Sequence, residues 1–377
     1  MSAGRPGRIL VVAVSARMLT QLAVADGYAV VSLDRFGDVD LRAIAPGATA
    51  PTNDALVALA EGIHAEAVVY GAGLENRPEL VRRLAAGREL LGTPAEQLSA
   101  VRDPWAVAAA AVAAGARAPR SHPPAAAELL AAIHNVGSDA GVWLRKPRAS
   151  GGGRGVRRWA GGRLRAGEIL QRRVPGVSCS AVAIGDGRDA AVLGVTEQLH
   201  RRRYEWIGNV TPPRLPPAER DELDGRLRAV CAEVASRFGV RGAFGVDVIW
   251  DGREAWVLEV NPRPTAALEL FGPAAFAAHV RGARGVSVLT SDVPAPVRCA
   301  KVKLVLFADR DLRAPDPAWW PSDLVRDIPH RGEMIRRGAP VCTLISATAE
   351  VTEIAQRGAS LLAALASPLP HRAAARA

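Results

Sequence analysis

Two carboxylates stand where a pair of strands would be expected to bury only apolar side chains. In the stretch from Val246 to Arg263, Asp247 interrupts Gly245-Val246 and Val248-Ile249, and Glu259 lies between Trp256-Val257-Leu258 and Val260. Asn261 and Arg263 follow Glu259 at steps of two, the spacing that keeps side chains on one face of a strand. A buried polar group without a partner costs roughly 2–7 kcal/mol. Two carboxylates and an amide converging on one place therefore point to a cation, and hard oxygen ligands point to Mg²⁺ held by Asp247, Glu259 and Asn261. A second constellation begins at Lys146, which ends the apolar stretch Val142-Trp143-Leu144, and leads into Ser150-Gly151-Gly152-Gly153-Arg154-Gly155. Glycines at 151, 152, 153 and 155 fit neither a helix nor a packed strand, and their N–H groups are free to line a polyanion. The lysine precedes the glycines and no helix follows, so this is not the Gly-x-x-x-x-Gly-Lys-Ser/Thr phosphate loop. It reads as a loop between antiparallel strands, closing over a triphosphate.

These residues need elements to hold them. The acidic stretch reads as a hairpin around Asp251-Gly252. A two-residue loop would pair Asp247 with Trp256 and turn Glu259 to the opposite face. A three-residue loop brings both carboxylates to one face, and that register is the expected one. Upstream, strands over 8–14, 28–33 and 67–70 alternate with helices over 16–26 and 53–62, the pattern of a doubly wound α/β domain. The loops 34–38 and 71–78 follow strand C-termini, where such folds bind ligands. Gly71-Ala72-Gly73 lacks the third glycine and the helix of a dinucleotide site. Helices are expected over 104–117, 125–135 and 216–237, strands over 142–147, 168–174, 178–184, 190–196 and 300–307, and a polar substrate loop over 197–208. A strand-turn-strand segment is expected from 327 to 343.

At 377 residues two or three domains are expected, and 49% apolar content supports sizeable cores. No apolar run is long enough to span a membrane, so no membrane partner is expected and the location read is cytoplasmic. Cys179, Cys231, Cys299 and Cys342 form no Cys-x-x-Cys pair, which indicates neither a disulfide framework nor a zinc site. The net charge of +10 is arginine spread over the whole chain with only 5% aromatics, so no nucleic-acid partner is expected. Lysine occurs only at 146, 301 and 303, which marks those positions as ones where a compact charge is wanted.

Taken together, the order of Lys146, the glycine loop 150–155, the strand 169–174, Asp247 and Glu259-Val260-Asn261-Pro262-Arg263 resembles the ATP-grasp superfamily. The Glu-x-Asn-x-Arg run is similar to that of biotin carboxylase and of D-alanine–D-alanine ligase. With Asp327-Ile328-Pro329 and the Gly71 to Pro78 loop, the chain resembles predicted ATP-dependent carboligases related to biotin carboxylase. The resemblance implies an α/β and α+β chain: a pre-ATP-grasp α/β domain over 1–100, a two-part ATP-grasp domain over 101–290, a β-rich segment over 291–365 and a frayed tail over 366–377. It implies ATP and Mg²⁺ as cofactors, with Lys146 on the α/β-phosphates and Gly151, Gly152, Gly153 and Gly155 as a mobile lid. Gln171 would meet the adenine amino edge, Arg173 and Val174 would offer backbone groups to the ring, and Arg263 would be the catalytic cation beside the transferred phosphoryl group. The implied reaction is ADP-forming ligation of a carboxylate to an amine, both small molecules, through an acylphosphate. Alternatives are carboxylation, kinase chemistry or a non-catalytic nucleotide-binding protein. Homodimers are common among such proteins. Arg102 stands where the family has an ATP-contacting lysine, and Ser178 where many members have an acidic ribose ligand.

Overall fold

The computed structural model describes residues 7–126, 142–289, 300–348 and 350–366. Five parallel strands open the chain, in the spatial order Gly47–Thr49, Ala29–Asp34, Arg8–Val12, Ala67–Tyr70, Glu89–Leu90. Their apolar residues alternate between two cores, as a strand's period of two requires. Ile9 and Val11 pack with Leu19, Leu22 and Ala23 of the helix Arg17–Ala25. Leu10 and Val12 pack with the helices Asn53–Glu61 and Pro78–Ala85 on the opposite side. Both sheet faces are thus covered, and the expected doubly wound domain is present.

An antiparallel eight-stranded sheet dominates the rest. Its order is Ala255–Asn261, Arg241–Trp250, Val177–Asp186, Ala190–Arg201, Glu205–Thr211, Lys301–Phe307, Pro340–Ser346, Val325–Arg326. One face buries Ala181, Ala183, Val246, Val248 and Trp250 together with the helices Pro104–Ala113 and Pro217–Phe238. Asp103 caps the first of these helices by accepting from Trp105 N and Ala106 N. Gly239, at φ 64°, ends the second. A four-stranded sheet of Ser121–His122, Glu168–Arg172, Trp143–Pro147 and Arg157–Arg158 supplies the other wall of a cleft of about 1300 Å³.

Several expectations need correction. Residues 197–208 are not a free loop: the strand Ala190–Arg201 runs on through Glu197, and Glu205–Thr211 returns beside it. Only a tight tip remains, with Arg202 and Arg203 at positive φ. The polarity there belongs to a strand pair with one face on the cleft, where Gln198, His200 and Asn209 lie. Residues Val351–Ala366, within a segment expected to be β-rich, form a helix. Val351, Ile354, Leu361, Leu362 and Leu365 recur at helical spacing and pack with Leu306 and Leu344. The helix expected over 125–135 and the tail expected over 366–377 lie outside the described residues, save 125–126 and the backbone of Ala366. No described helix is long and apolar enough to cross a membrane.

Candidate active site

Asp247 pairs directly with Glu259 across the hairpin, as Val246 does with Val260 and Gly245 with Asn261. The route to that register differs from the expected three-residue loop. Trp250 pairs with Ala255, leaving a four-residue loop whose Asp251 carboxylate accepts from Arg253 N and Glu254 N at 2.9 and 2.7 Å. This Asx-type closure sets the loop length. Such a loop alone would pair Asp247 with Leu258. A bulge between Asp247 and Val248 shifts the pairing by one residue and restores the shared face. Val246 and Val248 point to the helical core, so Asp247 between them faces the cleft.

Around the two carboxylates the donors are few and specific. Lys146 Nζ lies 2.9 Å from Glu259 Oε2 and 3.5 Å from the carbonyl of Leu258. Asn261 Nδ2 donates to Asp247 Oδ2 at 3.0 Å, and Gln198 Nε2 donates to Oδ1 at 2.9 Å. Ser178 Oγ donates to Gln198 Oε1 at 2.8 Å and orients that amide. Burial, and then the like charge of Glu259, push Asp247 up to about 6. Burial pushes Glu259 up too, but Lys146 and Arg102 outweigh it and hold the carboxylate well below its ordinary value. Two adjoining carboxylates with one compensating lysine, plus an amide oxygen that reorientation of Asn261 would supply, are a donor set suited to Mg²⁺ completed by phosphate oxygens.

Arg102 and Arg263 flank this pair. Arg102 donates to Val260 O at 2.9 Å and Asn76 Oδ1 at 3.1 Å, and reaches the carbonyls of Arg148 and Ser150 at 3.4 Å. Arg263 Nε donates to Glu75 Oε1 at 3.0 Å, and Glu75 also accepts from Gly73 N at 2.6 Å. Glu75 is buried, yet Arg263 and Arg102 overcome the upward push of burial and keep it ionised. The 71–77 loop of the N-terminal domain is thereby tied to the strand that carries the carboxylates.

The glycine loop is folded over the cleft. Trp206 N donates to Gly152 O at 3.0 Å, and Gly153, at φ 70°, sits where a Cβ would fall 1.8 Å from the carbonyl oxygen of Tyr204. Gly151 has open space around it. Gly155, at φ 81°, packs against Pro147. Gln171 Nε2 donates to Ser121 Oγ at 3.2 Å. Arg173 N donates to Val142 O at 2.7 Å, so its amide is already engaged; Arg173 and Val174 both line the cleft. Lys301 and Lys303 hold a 3₁₀ turn, Ala266–Phe271, through Leu270 O, Ala266 O and Glu269, and do not join the carboxylate pair. Asp34 accepts from Ala16 N and Gly37 N and shapes its own loop. His200 is exposed at the cleft rim.

Three contributions escaped sequence reasoning. The link from Ser178 through Gln198 to Asp247 carries no mark in the sequence, because it exists only once three strands are aligned. Arg17 is only 1% exposed, bound to Asp327 at 2.9 Å and to Glu269. The segment after Asp327 docks on the 37–40 loop: Asp40 accepts from Asp327 N and Ile328 N, and Val39 N donates to Ile328 O. Cys179, Cys231 and Cys342 are buried free thiols, and Cys299 lies outside the described residues.

Residues 105–267 match a family model described as "ATP-grasp domain". Over 110 residues the chain is 32% identical to the formate-dependent phosphoribosylglycinamide formyltransferase of Methylococcus capsulatus, a match spanning 28% of this chain and 26% of that protein. The biotin carboxylase domain dimer of Hydrogenobacter thermophilus 2-oxoglutarate carboxylase, solved with MgADP, ADP and bicarbonate, superimposes with a TM-score of 0.72 at 16% identity. That likeness covers 95% of this chain and 90% of the other. The N5-carboxyaminoimidazole ribonucleotide synthetase of Thermus thermophilus gives 0.63 at 20% identity, over 96% and 99% of the two chains. At these identities the likeness is one of fold.

Proposed function

We propose that the chain, whose residues 105–267 match an ATP-grasp domain model, is an ATP- and Mg²⁺-dependent ligase that joins a carboxylate to an amine and releases ADP. One observation carries this reading. Lys146, Asp247, Glu259, Asn261 and Arg263 share a single cleft roofed by the glycine loop. In the proposed reaction a carboxylate oxygen attacks the γ-phosphorus, the bond to the bridging oxygen breaks, and ADP leaves an acylphosphate behind. An amine nitrogen then attacks the acyl carbon and phosphate departs. Such a transfer asks mainly for positioning and for neutralisation of spreading charge. Lys146 and Arg263 supply fixed positive charge, the glycine loop supplies N–H groups, and Gln171, Arg173 and Val174 border the space for the adenine. Mg²⁺ held by Asp247, Glu259 and Asn261 would neutralise phosphate charge.

The division of labour follows the same reading: residues 1–100 and the segment 291–365 frame the substrates, and 101–290 binds the nucleotide. Homodimerisation and a cytoplasmic location belong to the proposal, as does the absence of a nucleic-acid partner. The test is ADP release from Mg-ATP across a panel of carboxylic acids, with hydroxylamine as the amine. A cognate acid should give ADP and hydroxamate in equal amounts. Normal Mg-ATP binding with no acid able to drive ADP release would sink the ligase reading.

A further inference from the structure

We propose that the wall of the cleft at Asp38 is the seat of the acceptor amine, bound as its ammonium ion; this rests on the ligase reading above. Asp38 precedes the short helix Val39–Arg42 and makes no capping bond to it. It lines the same cleft as Lys146 and Arg263. The residue is 7% exposed, and its Oδ2 has no hydrogen-bond partner, an expensive arrangement for a buried carboxylate. Nearby cations are committed elsewhere: Arg17 to Asp327 and Glu269, Arg42 to Asp34 and to the oxygens of Ser32 and Ala48. The charges facing Asp38 are mostly of its own sign. Burial, then Asp327, Asp34 and Asp40, push it up to about 8, with Arg17 opposing weakly. A single positive charge with N–H donors would relieve all of this at once.

The ligand class follows from what surrounds the carboxylate. A divalent cation asks for several oxygen ligands, and among the described residues Asp38 holds the one buried carboxylate oxygen without a hydrogen-bond partner. An ammonium ion asks for less: one carboxylate and hydrogen-bond acceptors. Phe36 and Met334 line the same cleft and are 45% and 40% exposed. They offer cover to an apolar body behind the charged head. The acceptor is therefore a primary amine with an apolar substituent, which passes a proton to the Asp38 carboxylate before its nitrogen attacks the acyl carbon.

The test compares benzylamine with benzyl alcohol, near-isosteres differing in charge, by calorimetric titration of the full chain loaded with Mg²⁺ and a non-hydrolysable ATP analogue. The wild-type protein should prefer the amine by about tenfold, the scale of a charge-assisted hydrogen bond in a desolvated site. Asp38→Asn should erase the preference and Asp38→Glu should keep part of it, with nucleotide affinity unchanged in both. Equal binding of the two probes by the wild-type protein, no binding of either, or a preference that survives Asp38→Asn would each overturn the assignment. The wild-type comparison decides the matter even if a variant fails to fold. Failure of the wild-type protein to bind nucleotide would instead count against the ligase reading itself.

Discussion

Gly151 and Gly153 are identical in sequence and opposite in consequence, which makes them a paired test of the closed loop. Gly153→Ala places a Cβ 1.8 Å from the Tyr204 carbonyl oxygen, where real Cβ contacts stop near 3.0 Å, and does so at φ 70°. The left-handed conformation costs a non-glycine residue roughly 1–2 kcal/mol. Backing the loop away also strains the hydrogen bond from Trp206 N to Gly152 O, with a net worth of about 0.5–1.5 kcal/mol. The closed loop should therefore lose about 1.5–3.5 kcal/mol, or roughly 10- to 300-fold in its population. Gly151→Ala meets nothing within 4 Å and should stay within about twofold of wild type. The assay is affinity for a fluorescent ATP analogue in excess Mg²⁺, with limited proteolysis at the loop as a second readout. If the two variants behave alike, the loop's docking on Tyr204 has no part in holding nucleotide.

Other predictions follow from the same geometry. Glu259→Gln should fold normally and lose at least about 100-fold in Mg²⁺-dependent turnover, since even outer partners of a metal cost 10–100-fold; wild-type turnover in that variant would remove the carboxylate from the site. Mg-nucleotide affinity should fall as pH drops through about 6, where Asp247 takes up a proton, and Glu259→Gln should move that midpoint lower by removing the like charge; a flat profile from pH 5 to 7.5 would contradict this. Folding raises the carboxyl of Asp38 from 3.8 to about 8, so its ionisation works against the fold and stability from this group is lost as pH rises through that window. Asp38→Asn should accordingly melt higher than wild type at pH 8, by a margin that shrinks toward pH 5. Arg17→Met strands Asp327 and leaves Glu269 with Lys303 alone, and should cost about 3–5 kcal/mol, read from the urea midpoint; an unchanged midpoint would show that Asp327 rearranges freely.

What sequence reveals here is the anomaly; what it conceals is the partner. Asp247 and Glu259 stood out because each breaks an apolar alternation, and the glycines because no regular element accepts them. Their joint face was legible, but through an incorrect loop length: the Asp251 closure adds one residue to the turn and the bulge adds another to the strand, so parity survives. The N-terminal alternation was visible because parallel strands buried on both faces are apolar throughout. Arg17, by contrast, reads as an ordinary charge opening a helix, since its partners lie 252 and 310 residues away. The helix Val351–Ala366 went unread because the β-rich reading of the strands up to Thr343 was extended to residue 365, across apolar residues whose spacing is helical.

The strand Lys301–Phe307 pairs with Glu205–Thr211 in the same sheet that carries Asp247 and Glu259. Expression of a fragment cut anywhere before residue 301 would leave the edge of Glu205–Thr211 bare, with Val210 and Leu199 uncovered beside it. Such an edge recruits other chains, so that fragment is expected to aggregate rather than bind nucleotide. For protein engineering the practical unit is the whole sheet through Ser346, whatever boundary the sequence seems to offer near residue 290.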